Sequence, residues 1–135
     1  MKLLIDGNIV LDVLQNREPH VTDSAKVWKL CETGQAEGYL STLTFANLVY
    51  VMRKELDPER IEDVLRKLSL IFRFTGLNVS DMNNAAAMKW NDFEDALKAA
   101  TADRLHVDYI ITRNVRDFNK SKAIAFTPNE FLARL

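Results

Sequence analysis

The chain has 135 residues, 47% of them hydrophobic and 27% charged, and its 18 Lys and Arg against 19 Asp and Glu give a net charge of -1. That length makes one ordinary domain, spanning residues 1–135, with a core of its own. The near-neutral balance supplies no general pull on polyanions, so a nucleic acid must be met by a local basic patch or through metal ions. The single cysteine, Cys31, excludes an intrachain disulfide and reads as a small core residue in a reducing compartment. The apolar run near the N-terminus is too short for a signal peptide or a membrane span, so the expectation is a cytoplasmic protein with no membrane contact.

Lys2 to Asp6 is expected to be a strand buried on both faces, with Asp6 at its carboxyl end and Gly7 and Asn8 turning away from it. Ile9 to Leu14 reads as a short helix that ends before Pro19, and Asp12 on it either caps locally or leans back towards Asp6. A helix capped by Thr22 or Asp23 runs to about Thr33, where Gly34 stops it, and Gly38 to Ser41 is a short strand. Thr42 to Lys54 follows as a helix apolar almost all round. Such a helix is covered on two sides, with Tyr50 and Met52 the candidates for a side that meets a partner, and it makes Asn47 a conspicuous buried amide.

Asp57-Pro58 opens a helix reaching Leu70 or Phe72, with Ile61, Val64, Leu65 and Leu68 inward. A strand from Phe72 to Leu77 and a helix capped by Ser80 come next. The helix that starts at Asn91 or Asp92 runs to Leu105 with alanines suited to close packing. Tyr109 to Thr112 and Ala123 to Phe126 are the last strands, and Pro128 to Leu135 the closing helix. Strands alternate with helices throughout, which predicts an α/β/α sandwich around a mostly parallel sheet of four to five strands.

In open α/β sheets ligands gather at the carboxyl edge of the strands. Asp6 lies at that edge, Asp92 and Asp95 are three apart at a helix start, and Asn114 and Asp117 follow the strand ending at Thr112. Several hard oxygens converging from three elements suit a divalent cation that keeps water for a substrate. Such a cluster would repel itself when empty and weaken the metal-free fold. Arg113 and Arg116, beside it in sequence, are candidates for meeting phosphates. A haloacid-dehalogenase-type phosphatase would want a second Asp where the chain has Asn8, and a receiver domain would want a late lysine that is not well placed.

The order and spacing of Leu4-Ile5-Asp6-Gly7-Asn8 with Asp12, Tyr39 to Thr44 with Asn47, Asp92-Phe93-Glu94-Asp95-Ala96, Thr112 to Phe118, and Thr127 to Leu132 resemble a PIN domain of the VapC-type ribonuclease-toxin branch. The resemblance implies a PIN-like sandwich and an endoribonuclease dependent on Mg²⁺ or Mn²⁺, with RNA as substrate, an antitoxin as partner and a homodimeric assembly. It implies catalytic and metal-holding roles for Asp6, Asp95 and Asp117, a metal role for Asp92, and supporting or substrate-binding roles for Asn8, Asp12, Asn47, Thr112, Arg113, Asn114 and Arg116. The chain departs from the pattern at three places. Asn47 stands where many members have a glutamate, Asn114 where many keep an acid, and Gly7 where a threonine is common. An amide oxygen can ligate Mg²⁺ but adds no charge, so the alternative implied is a weak or inactive PIN-like module that binds RNA or protein.

Overall fold

The computed structural model describes residues 1–135. In chain order the elements are β1 (Lys2–Ile5), α1 (Gly7–Leu14), α2 (Val21–Glu32), β2 (Glu37–Ser41), α3 (Thr42–Val51), α4 (Pro58–Ile71) and β3 (Arg73–Thr75). They continue with α5 (Val79–Met88), α6 (Phe93–Leu105), β4 (Tyr109–Ile111), a 3-10 turn at Val115–Phe118, β5 (Ile124–Phe126) and α7 (Pro128–Leu132). The five strands form one sheet in the order β3-β2-β1-β4-β5, and every neighbouring pair is parallel. Because β1 is central and all strands run the same way, all five carboxyl ends open onto one edge.

The alternation of β1 explains the two layers. Leu3 and Ile5 face one side, where they join Ile9, Val10, Val27, Leu40, Leu48, Leu68, Phe72 and Phe131 under α1, α2, α3, α4 and α7. Leu4 faces the other, with Ala99, Ala102, Ile110, Phe118 and Ala125. On that side α6 meets α5 through Ala85, Ala96 and Ala100, whose small side chains let the two helices approach closely. Arg104 locks the pair to β3: its guanidinium donates to both Asp81 oxygens at 2.9 and 3.1 Å and to the Gly76 carbonyl at 2.8 Å.

Several sequence expectations need correction. Met52 is 5% exposed and belongs to the core, whereas Tyr50 is 65% exposed. Helical spacing accounts for this: Thr44, Leu48 and residue 52 lie four apart on one face, and that face is the buried one. α3 therefore packs on one side and ends at Val51, short of Lys54. Ser41 caps α3 in place of Thr42, its hydroxyl accepting from the Thr44 amide at 3.1 Å. Asn78 and Asp81 form a capping box for α5, which leaves Ser80 inside the helix. Leu65 on α4 is 39% exposed, leaving Leu68 as the helix's one fully buried anchor.

Candidate active site

Asp6 continues β1 by one residue, its amide donating to the Ile111 carbonyl at 2.9 Å, and then caps α1 by accepting from the Gly7 amide at 2.8 Å. The β-to-α turn thus pins the carboxylate to the sheet edge from both sides. Thr112, one residue past β4, is fully buried and donates its hydroxyl to Asp6 Oδ2 at 2.7 Å. That hydroxyl also accepts from the Asn114 amide at 3.0 Å. The Asn8 side chain donates weakly to the same Asp6 oxygen at 3.5 Å, and its Oδ1 accepts from the Arg113 amide at 3.3 Å. Gly7 lacks the hydroxyl expected after the aspartate, and Thr112 and Asn8 order the carboxylate instead. A Cβ at Gly7 would come within 3.3 Å of Thr44 Cγ2, a tight approach of α1 to α3.

A cavity of about 340 Å³ opens over Asp6. Asn47 borders it from α3, Asp92, Glu94, Asp95 and Lys98 from the start of α6, and Asn114 and Asp117 from the turn after β4. Asp92 caps α6, accepting from the Asp95 amide at 3.0 Å. A second cleft of about 330 Å³ shares Asp92, Asp95 and Asp117 and leads away past Trp90 to Lys89 and Lys120. The structure therefore brings together Asp6, Asn8, Asn47, Asp92, Asp95, Asn114 and Asp117, while Thr112 stands behind Asp6.

Asp12, Arg113 and Arg116 do not border this cavity. Asp12 is fully buried between α1 and α2, accepting from the Ser24 hydroxyl at 2.9 Å and from Arg113 Nε at 3.1 Å. Arg113 is thereby committed to an internal ion pair that ties the β4 loop to α1, and Arg116 lies exposed on the 3-10 turn. Asn47 is not a buried core amide either: it sits partly exposed at the cavity wall and donates to Glu94.

Two residues of the cavity escaped the sequence reading. Glu94 brings a carboxylate to the α3 side, where residue 47 is an amide. Lys98 places its ammonium 2.9 Å from Asp6 Oδ1 and 4.0 Å from Asp95 Oδ1. One ammonium thus hydrogen-bonds to Asp6 and lies within ion-pair range of Asp95. Burial works against its charge, but Asp6, by charge and hydrogen bond, and then Asp95 outweigh that and hold the ammonium above the ordinary lysine range. The signal that marks it is an i, i+3 spacing from Asp95 as the one charged residue within the alanine-rich middle of α6.

The donors suit a hard cation, being carboxylate and amide oxygens, and the crowding of acids is the electrostatic condition such an ion relieves. As the chain stands, no three acidic side chains are gathered round a single point. Burial, reinforced by the charge of Asp92 and to a lesser degree of Asp117 and Asp6, pushes the Asp95 carboxyl up from 3.8 to about 6 against the opposing pull of Lys98. A folded value above the unfolded one means that Asp95 adds stability to the metal-free protein below about pH 4. That contribution is lost as pH rises through about 6. A cation at Asp95 needs the ionised form, so Mn²⁺ affinity measured by calorimetry should fall about tenfold per pH unit below 6. Asp95→Asn should flatten that dependence; an affinity constant from pH 7 to pH 5 would place the ion elsewhere.

A sequence profile described as PIN domain matches residues 2–116. No curated protein is similar enough in sequence to count as a relative. Among solved structures, the chain is similar to a toxin–antitoxin complex from Klebsiella pneumoniae, with 21% identity over 93% of this chain and 97% of that one and a TM-score of 0.73. It is also similar to VapBC2 from Rickettsia felis bound to a promoter DNA fragment, with 14% identity, coverage of 94% and 98% and a TM-score of 0.70. A third similar structure is a sarcin–ricin-loop-cleaving VapC toxin of Mycobacterium tuberculosis, with 9% identity, coverage of 80% and 86% and a TM-score of 0.63.

Proposed function

The chain belongs to the PIN domain family, and from that premise we propose that it is a divalent-metal-dependent endoribonuclease and the toxin of a toxin–antitoxin pair. The observation that carries this reading is the meeting of Asp6 and Asp95, delivered by elements far apart in sequence, at one point marked by a single ammonium 2.9 and 4.0 Å away. Asp6 and Asp95, joined by Asp117 and Asp92, would hold Mg²⁺ or Mn²⁺. When bound, such an ion supplies charge for a phosphate and acidity for a water.

The chain's own groups give that chemistry its setting. Gly7 and Thr112 hold the Asp6 carboxylate in place before any substrate arrives. Asn47 and Asn114 offer neutral amides along the cavity wall, and the cleft towards Lys89 and Lys120 gives flanking phosphates a basic exit. These lysines take the part expected of Arg113, which Asp12 holds. In the reaction the oxygen of a water bonds to phosphorus and gives up a proton, the bond to the leaving ribose oxygen breaks, and that oxygen takes up a proton in turn.

The partners follow the same reading. Similar folds occur in toxin–antitoxin complexes, and exposed Tyr50 and Val51, the latter also bordering the cavity, suit coverage by an antitoxin or a second copy of the chain. No helix is long and apolar enough to cross a membrane.

The test is cleavage of total RNA by the purified chain in Mn²⁺, stopped by a chelator and restored by added Mn²⁺. The second reading, a PIN-like module that binds without cutting, draws on Asn47, Asn114 and the lysine seated on Asp6. It expects RNA retention that survives the chelator and no cleavage with any divalent ion.

A further inference from the structure

Lys98 is the only cationic residue bordering the Asp6 cavity. Its side chain is 17% exposed, and its ammonium meets Asp6 at the cavity floor. What it meets there decides its role. A carboxylate has about four lone-pair positions, and on Asp6 all four are occupied. Oδ1 accepts from the Gly7 amide at 2.8 Å and from Lys98 at 2.9 Å; Oδ2 accepts from the Thr112 hydroxyl at 2.7 Å and from the Asn8 amide at 3.5 Å.

These partners differ in how easily they leave. The Gly7 amide is backbone at a helix start, and the Thr112 hydroxyl is buried and held by the Asn114 amide. The Asn8 contact is long and turned towards the Thr112 side. Lys98 alone is both strongly bound and carried on a flexible chain, and it also reaches Asp95 at 4.0 Å. A cation approaching from the cavity can gain Asp6 Oδ1 only by taking the position the ammonium holds, and on Oδ2 it would meet the Thr112 hydroxyl and the long Asn8 contact with that ammonium still beside it.

We propose that Lys98 is a placeholder cation: its ammonium occupies the Asp6 position a divalent ion needs, so the site exchanges a lysine contact for a metal and Lys98 sets the metal affinity. This rests on reading the acids as a metal site and adds a regulatory element to it. A carboxylate cluster left bare would strain the metal-free fold, whereas here a resident counter-ion balances part of it. The same contact weakens metal binding, because each ion that enters must first displace it.

The experiment is a calorimetric titration of the full chain with MnCl₂ at pH 7.5, comparing the parent with Lys98→Met, which removes the charge but keeps the length, and Lys98→Arg, which keeps the charge. Lys98→Met should bind Mn²⁺ at least about tenfold more tightly, the order expected from removing one competing charge contact in a part-buried setting. It should also melt several degrees lower without metal and gain more on Mn²⁺ addition. Lys98→Arg should stay close to the parent. A Lys98→Met affinity equal to or weaker than the parent's overturns the proposal while leaving the nuclease reading intact. Binding by none of the three proteins overturns the metal reading as well. A variant that fails to fold is bypassed by labelling the parent's lysines with ¹³C-methyl groups. The Lys98 resonance should shift on Mg²⁺ addition, and an unmoved resonance in the ion-bound protein counts against displacement.

Discussion

Asp6→Asn should remove metal-dependent RNA cleavage and, at the same time, make the metal-free protein less stable. The first effect follows because Asp6 is the acid fixed most firmly to the sheet edge, and an amide there gives any ion one neutral oxygen. The loss should exceed the roughly 10–100-fold that removal of an outer partner of a metal ligand costs. The second effect reverses the expectation from sequence that an empty acidic cluster would be relieved by losing a charge. Asp6 receives the Gly7 amide, the Lys98 ammonium and the Thr112 hydroxyl at 2.7–2.9 Å. An asparagine keeps one acceptor oxygen and turns the other position into a donor, facing either a hydroxyl or a cation that also donates. The cap on α1 survives, since Asn and Asp serve equally there. The lost charge-assisted bond should cost about 1–3 kcal/mol. Thermal unfolding with and without Mn²⁺ checks both parts: a melting temperature at or above the parent's in the absence of metal would mean that Lys98 does not balance the cluster.

Arg113→Met should be the most damaging substitution to the fold itself. Asp12 is fully buried, and its only partners in the chain are the Ser24 hydroxyl and Arg113, both on Oδ2. Its Oδ1 has no partner in the protein. Taking Arg113 away leaves a buried carboxylate with a single hydroxyl, a situation that typically costs about 3–5 kcal/mol. Against a total stability of about 5–15 kcal/mol, that brings the protein near unfolding. Cleavage should fall as well, because the ion pair holds the loop that carries Asn114 and Asp117. The companion Asp12→Leu with Arg113→Met should recover much of the stability, since both members of the pair are then gone. Urea unfolding of the two variants decides this. A single variant within 1 kcal/mol of the parent would show that Asp12 is solvated after all.

How much of this could be read from the sequence depended on whether the decisive partners were local. The run Leu3-Leu4-Ile5 into Asp6 marks a strand buried on both faces, and strands alternating with helices make the sheet parallel, so the common edge that gathers Asp6, Thr112 and Asp95 followed from pattern. Lys98 did not, because a lysine one turn into a helix reads as a solvated face and its main partner lies 92 residues away. Arg113 misled for a similar reason. Its neighbours in sequence, Asn114 and Asp117, belong to the cavity, while its guanidinium turns back to an aspartate 101 residues earlier. α3 is apolar on all sides, so its sequence gives little to tell the face that buries Met52 from the one that exposes Tyr50. The same uniformity hides the place of Asn47 at the cavity wall, which depends on Glu94 opposite it, 47 residues away.

On the proposed reading, the acids around Asp6 serve hydrolysis of an RNA phosphodiester bond by water with a divalent ion. Mapping the ends of the fragments produced from a defined RNA with Mn²⁺ decides whether they do. Direct attack by water leaves one fragment with a free hydroxyl and the other with a monophosphate, appearing only with the divalent ion and absent with Asp6→Asn. Fragments ending in a cyclic phosphate, or cleavage that persists in chelator or in Asp6→Asn, would contradict it.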